Sequence, residues 1–262
     1  MPRAHGEGFV EVQRKGDKSA LSDLRMSGCL KVLFSRGSPR LDAIIINSAG
    51  GLTSGDRLSF EIGLQEGAAA SVTTQAAERA YRAADGEAHV TSHIHVAQGA
   101  QMFWLPQEMI LFDGAKLDRR LQCNLEADAR LLLVEPVIFG RTKMGETVRD
   151  LWFRDEIRVD RDGVPLYRDT TQLSGDMRDA LAGAAIGQGA GAMASVVYAS
   201  TDAEHHHAQL VKDLPPTAGA SLLHDDLLAL RLLAGDGFEL RKSLLPILDQ
   251  LTGHTLPTSW RL

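Results

Sequence analysis

Two groups of side chains have the type and spacing to bind a metal. His89, His93 and His95 share one parity, so on a strand they lie on one face and present three imidazoles to solvent or to a cation. His205, His206 and His207 are consecutive, and consecutive side chains on a helix diverge. Neither group carries the HExxH pairing or the paired carboxylate of a catalytic zinc. Both read as solvated polar faces, dispensable to function, and no fixed metal site is assigned.

Three acidic residues stand out more. Glu135 breaks the apolar run of residues 130–140 (RLLLVEPVIFG), Asp56 closes a glycine turn, and Asp169 follows Pro165-Leu166-Tyr167-Arg168. A carboxylate in an apolar setting is seldom buried without a partner or a metal. Two readings stay open. In one, each is half of a salt bridge, Glu135 with Arg141 or Arg119. In the other, they line a polar passage and hold a hard or borderline cation through oxygen.

Other chemistries find no support. Residues 47–58 (NSAGGLTSGDRL) look like a phosphate loop, yet Asp56 stands where a Walker A loop needs lysine. Gly187-Gln188-Gly189-Ala190-Gly191 precedes the apparent strand at residues 193–199, which reverses the Rossmann order. GxSxG and cysteine–histidine nucleophile patterns are absent, so the chain is not expected to be an enzyme.

Strands must position these residues. Leu58, Phe60, Ile62 and Leu64 alternate with polar neighbours, as do Leu117, Leu121, Cys123 and Leu125, and Leu151, Phe153, Ile157 and Val159. Period two is the mark of half-buried strands, and the run at 130–140, apolar apart from Glu135 and Pro136, predicts a strand covered on both faces. A turn recurs: Leu64-Gln65-Glu66-Gly67-Ala68, Val96-Ala97-Gln98-Gly99-Ala100 and Leu125-Glu126-Ala127-Asp128-Ala129 share one form, with Gly67, Gly99 and Asp128 suited to the left-handed conformation. A turn repeated in this way predicts stacked β-layers, as in a β-helix. Two helices follow late, at 202–214 with Asp202 as N-cap and at 238–251 ending at Gly253, with one more strand around Leu228, Leu230 and Leu232. The expected fold is therefore mainly β: β-helix-like stacked sheets with two α-helices toward the C-terminus. No Pro/Ser linker divides the sequence, so 1–262 is expected to be a single domain.

The chain has 262 residues and a formal net charge of −6. That balance argues against a nucleic-acid partner, which calls for a basic face. No apolar stretch approaches a membrane span or a signal h-region, and Cys29 and Cys123 lie outside any CxxC pattern. A cytoplasmic protein with no membrane partner is expected.

Several motifs, in order, resemble one family. Gly50-Gly51-Leu52-Thr53-Ser54-Gly55-Asp56 resembles a GG-x-x-GGD element, with Ser54 in place of its first paired glycine. Thr73-Thr74-Gln75-Ala76 with Ala80-Tyr81-Arg82 is similar to a TTQAA…YR segment, and Trp104-Leu105-Pro106-Gln107-Glu108 running to Phe112-Asp113-Gly114-Ala115 to a WLPQE…FxGA signature. Phe139-Gly140-Arg141, followed by Met144-Gly145-Glu146, resembles a GRxxxGE block, and Trp260-Arg261 sits where the family often ends. These are motifs of the UreD (UreH) urease accessory proteins. The resemblance implies a cytosolic β-helical scaffold with two helices and no tightly bound cofactor. It implies binding to UreF in a 2:2 assembly, association with the GTPase UreG, and docking on apo-urease, with nickel as transient cargo. It also implies a nickel passage with acidic lining, with Asp56, Glu135 and Asp169 at the matching positions. The alternative is an adaptor that reshapes apo-urease without touching nickel. The apolar segment 238–251 is expected to leave the isolated chain poorly soluble.

Overall fold

A computed structural model of the chain describes residues 3–35, 37–141 and 145–261. Met144 of the glycine–arginine block lies outside the described residues.

The chain winds between two sheets. β1 (His5–Lys15), β2 (Lys18–Gly28), β3 (Leu30–Phe34) and β4 (Leu41–Asn47) begin them. Three coils follow, each crossing from one sheet to the other. β5 (Arg57–Leu64) leads to β6 (Ala69–Thr74) and, past β7 (Glu78–Ala80), β8 (Ala88–Val96) leads to β9 (Gln101–Trp104). After β10 (Met109–Leu111), β11 (Lys116–Leu125) leads to β12 (Arg130–Phe139). The remainder runs β13 (Leu151–Arg161), β14 (Val164–Gly175), α1 (Met177–Leu181), β15 (Ala192–Ala199) and α2 (Ala203–Leu210). It ends with β16 (Ala218–His224), β17 (Leu227–Ala234) and α3 (Gly237–Thr252).

One sheet has seven strands in the order β14-β13-β11-β8-β5-β1-β2; the other has ten, in the order β16-β17-β15-β12-β9-β6-β4-β3 with β7 and β10 alongside. Successive coils pair in parallel, β1–β5–β8–β11–β13 in the first sheet and β4–β6–β9–β12 in the second. This is the stacked, solenoid-like arrangement expected from the repeated turn. Gly67 and Gly99 both take φ 65° at that turn. Asp128 does not; its Oδ1 instead accepts the Gly99 N–H at 2.7 Å, so the third turn holds the second through a side chain.

The inward parity of both sheets supplies the main core, including Phe60, Ile62, Ile94, Leu121, Leu131, Leu133 and Phe153. Each such side chain contributes about 1.5–3 kcal/mol by leaving water. β12 is buried on both faces, as its apolar run requires, because the second sheet carries another core on its far side. There Tyr198, Leu230, Leu240, Leu244, Leu248 and Trp260 meet beneath α2 and α3.

The helices differ in detail from expectation. α3 runs from its N-cap Asp236, whose side chain accepts the Glu239 N–H, to Gly253 in the left-handed conformation. α2 is shorter than 202–214 because beyond Leu210 the chain tightens: Lys212 and Asp213 bond back three residues, to Gln209 and Leu210. A third helix, α1, has five residues, too few to show a period in sequence. The segment 238–251 is not an exposed apolar patch, since its apolar face covers the second sheet and Phe238, 64% exposed, is the large apolar side chain it leaves outside. It therefore supplies no reason for poor solubility. No helix among the described residues is long and apolar enough to cross a membrane.

Candidate functional site

The alternation of β11 would put an apolar side chain at position 119, between Leu117 and Leu121, and that of β13 would put one at 155, between Phe153 and Ile157. Arg119 and Asp155 occupy those inward positions and are in register across the two parallel strands. The guanidinium donates from Nε and Nη2 to the two Asp155 oxygens at 2.8 and 2.7 Å. Glu135 faces them from β12 in the opposite sheet, with Oε2 at 2.6 Å from Arg119 Nη1. That approach is close but not aligned as a hydrogen bond, whereas Oε1 accepts the Trp104 indole N–H at 2.7 Å. Of the two partners open to Glu135 in sequence, Arg119 is the one it takes; Arg141 pairs with Glu146.

Glu135 and Arg119 reach a cavity of about 220 Å³ between the sheets. Glu135, Arg119, Trp104, Pro106, Gln107 and Glu78 are among its lining residues. Glu135 is 4% exposed. Burial pushes its carboxyl up to about 7, against the pull of Arg119 and the Trp104 hydrogen bond, with Asp155 adding to the rise. Burial disfavours the charge on Arg119, but the two carboxylates outweigh it and hold the guanidinium protonated. Cys123, four residues further along β11 than Arg119, has its thiol raised by burial and then by Glu135, so it offers no thiolate.

The raised carboxyl has a signature in stability. Folded Glu135 keeps its proton where the unfolded chain, near 4.5, has lost it. Its contribution is complete below 4.5 and is lost as pH rises through about 7. Glu135→Gln is expected to flatten that fall, which urea midpoints of both proteins measured below 4.5 and above 7 will show.

The other two acidic positions are elsewhere. Asp56, 4% exposed, accepts the backbone N–H of Ala4 and of Thr53, each at 2.8 Å, and so pins β1 to the glycine turn. Asp56→Asn replaces one of those acceptors by a donor. A loss of about 1–3 kcal/mol is expected, read as a lower thermal midpoint. Asp169 on β14 accepts Arg231 Nη2 from β17 at 2.6 Å and ties the two sheets together at one margin. Neither residue lines the cavity.

The remaining motif residues build two supports. Arg241 on α3 donates to both Glu108 oxygens at 3.0 Å and to Gln107 Oε1, and its Nη1 donates to the Trp260 carbonyl at 3.1 Å. The Trp260 indole donates to the Leu105 carbonyl at 2.9 Å. The segment 104–108 at the cavity is thereby held from the helical side. In the second support, Glu146 Oε2 accepts the Arg141 N–H and Nε at 3.0 Å, and its Oε1 accepts the Asp113 N–H at 3.3 Å. Asp113 in turn pairs with Arg82. Gly140 and Gly145 both have positive φ in this turn. Gly50 and Gly55 do so in the glycine loop; Gly51 has φ 147°, and a Cβ there would meet the Tyr81 ring at 2.3 Å and the Arg79 carbonyl at 2.8 Å. Ser54 is buried, its hydroxyl accepting the Asp85 N–H at 3.2 Å.

His93 and His95 are exposed on β8, and His89 is half-buried, 3.7 Å from Asp118. His206 rests edge-on against Tyr198 at 5.4 Å; burial lowers its pKa, with Asp202 opposing. Among the described residues no group of three His, Cys, Asp or Glu is arranged to hold a metal ion. A larger cleft of about 750 Å³ lies between residues 37–44 and the C-terminal segment, and none of Asp56, Glu135 and Asp169 opens on it.

Asp155 was missed in sequence, and Arg119 was read there only as one of two candidate partners of Glu135. The signal was the gap in the two alternating runs, where a charge sits at an inward position.

Stacked coils, helices on one face and an interior whose charges are tied to one another define a β-solenoid scaffold. The family model described as UreD urease accessory protein matches residues 4–261. Relatives named urease accessory protein UreD include one from Ruegeria pomeroyi, 50% identical over 249 residues (94% of this chain and 97% of the relative). Another, from Roseobacter denitrificans, is 45% identical over 263 residues, covering 100% of this chain and 96% of the relative. Urease accessory protein UreD 1 of Brucella melitensis is 38% identical over 267 residues, covering 100% and 95%. The chain belongs to the UreD family of urease accessory proteins.

Proposed function

We propose that this protein is a non-catalytic cytoplasmic scaffold that joins UreF and the GTPase UreG to apo-urease, in a 2:2 assembly with UreF, and that nickel passes through its interior on the way to the urease active site. The observation that carries the passage is the cavity between the sheets, lined by Glu135, whose buried Oε2 lacks an aligned hydrogen bond. A conduit must hold nickel loosely. Nitrogen and sulfur ligands bind it tightly, whereas a single carboxylate with water lets it leave. Asp56 and Asp169 would join the passage only by releasing the backbone amides and the arginine they now hold.

A second reading, an adaptor that reshapes apo-urease without meeting nickel, is favoured by the engagement of all three carboxylates in internal pairs. Glu135→Gln, Asp56→Asn and Asp169→Asn separate the two. Gln keeps an acceptor for Trp104 and leaves Arg119 balanced by Asp155, so Glu135→Gln is expected to assemble normally. Urease activated with it should contain less nickel at unchanged complex yield. Normal nickel in all three variants would leave only the adaptor.

A further inference from the structure

We infer that Arg119 sets the affinity of the cavity for its cargo: it cancels one of two carboxylates, so that a divalent cation is attracted but not kept. The inference rests on the passage reading. Asp155 grips the guanidinium through two aligned hydrogen bonds, whereas Glu135 meets it through one misaligned approach. A bidentate pair of this kind is the stronger hold. Asp155 is therefore the anchor, and it is absent from the cavity lining, while Glu135 and Arg119 are part of it. Above about pH 7, where Glu135 is ionised as well as Asp155, the trio carries one net negative charge, two minus one.

Stability does not require this arrangement. Apolar groups of similar volume commonly replace a buried ion triad with no loss, and the neighbouring inward positions are apolar already. What a fixed guanidinium adds is a positive charge that cannot be titrated away, beside the oxygen a cation would approach. In a site of low dielectric, one unit of charge shifts cation affinity strongly, so the count of charges decides between release and capture. Arg119 is in this sense a positioning residue for charge; it binds no nickel itself.

The test uses the full-length chain purified with UreF, with nickel sulfate as the probe. Retention is read by equilibrium dialysis, and release by transfer to a chelating dye. Asp155→Asn makes the trio neutral, and nickel retention should fall at least about tenfold. Arg119→Gln removes the one fixed positive charge beside Glu135; retention, read above pH 7, should rise and release slow, each by at least about tenfold. Arg119→Lys keeps the charge without the fork, and should stay within about threefold of the parent protein. A merely structural role predicts losses in the same direction for all three. Because Arg119→Gln strands two buried carboxylates, Asp155→Asn and Arg119→Lys decide the matter if it yields no soluble protein. Unchanged retention in Asp155→Asn, or Arg119→Lys behaving as Asp155→Asn, overturns the inference. Glu135→Gln separates it from its foundation. Full nickel loading of urease with that variant removes the passage itself. Reduced loading, with retention indifferent to the charge of the trio, removes only the role of Arg119.

Discussion

Arg119→Met should destabilise the protein by about 3–5 kcal/mol, because it leaves Glu135 and Asp155 buried without a counter-charge. Both carboxyls are nearly inaccessible, and the guanidinium is their shared cation. A loss of that size is a large part of the stability of an ordinary domain and should appear as a strongly reduced yield of soluble chain. The triple variant Arg119→Met, Asp155→Leu, Glu135→Leu, which removes the charges together, should recover most of it. Urea unfolding of the purified proteins checks both. A single variant as stable as the parent would mean that the buried carboxyls are neutral and the trio is not an ion network.

The second large effect is at the C-terminus. Trp260→Ala should cost about 3–5 kcal/mol through the cavity left by a fully buried ring and the loss of its hydrogen bond to Leu105. The consequence reaches further than the helical core. Arg241 stands over that ring, 5.1 Å from its centroid, and holds Gln107 and Glu108. Loss of the ring should therefore loosen residues 104–108, which carry the cavity-lining Trp104, Pro106 and Gln107. Hydrogen exchange of the amides in that segment should rise along with the drop in thermal midpoint. Trp260→Phe, which loses the hydrogen bond but keeps most of the volume, should show the smaller part of both effects.

The stacked coils were readable in sequence because the physics that makes them is local. Inward parity is written at Leu58–Phe60–Ile62 and again at Leu117–Leu121–Cys123, and the turn between coils is written at Gly67 and Gly99. Where a turn is held by a partner in the next coil, as Asp128 holds Gly99, the sequence indicates the right place but the wrong device. The five-residue α1 falls below the length at which a helical period exists. Glu135 was legible as a charge out of place, and the pairing with Arg119 was one of two candidates. Its choice depends on which strands face each other across the core, a tertiary fact. Asp155 was hidden for the same reason, since a charge at an inward position of a strand has no meaning until the opposite sheet is known. Asp56 and Asp169 share the acidic character of Glu135 but not its surroundings, and only the folded chain separates a turn cap and a margin ion pair from a group on a cavity.

The central claim is that nickel moves through the interior past Glu135. Its most direct test is transfer of nickel into apo-urease by the purified complex with UreF and UreG, with a strong chelator in the surrounding solution. For the parent protein, transfer should proceed despite the chelator. For Glu135→Gln, with the complex intact, urease should gain clearly less nickel and proportionally less activity. Equal nickel loading by the two proteins in the presence of chelator would contradict the account.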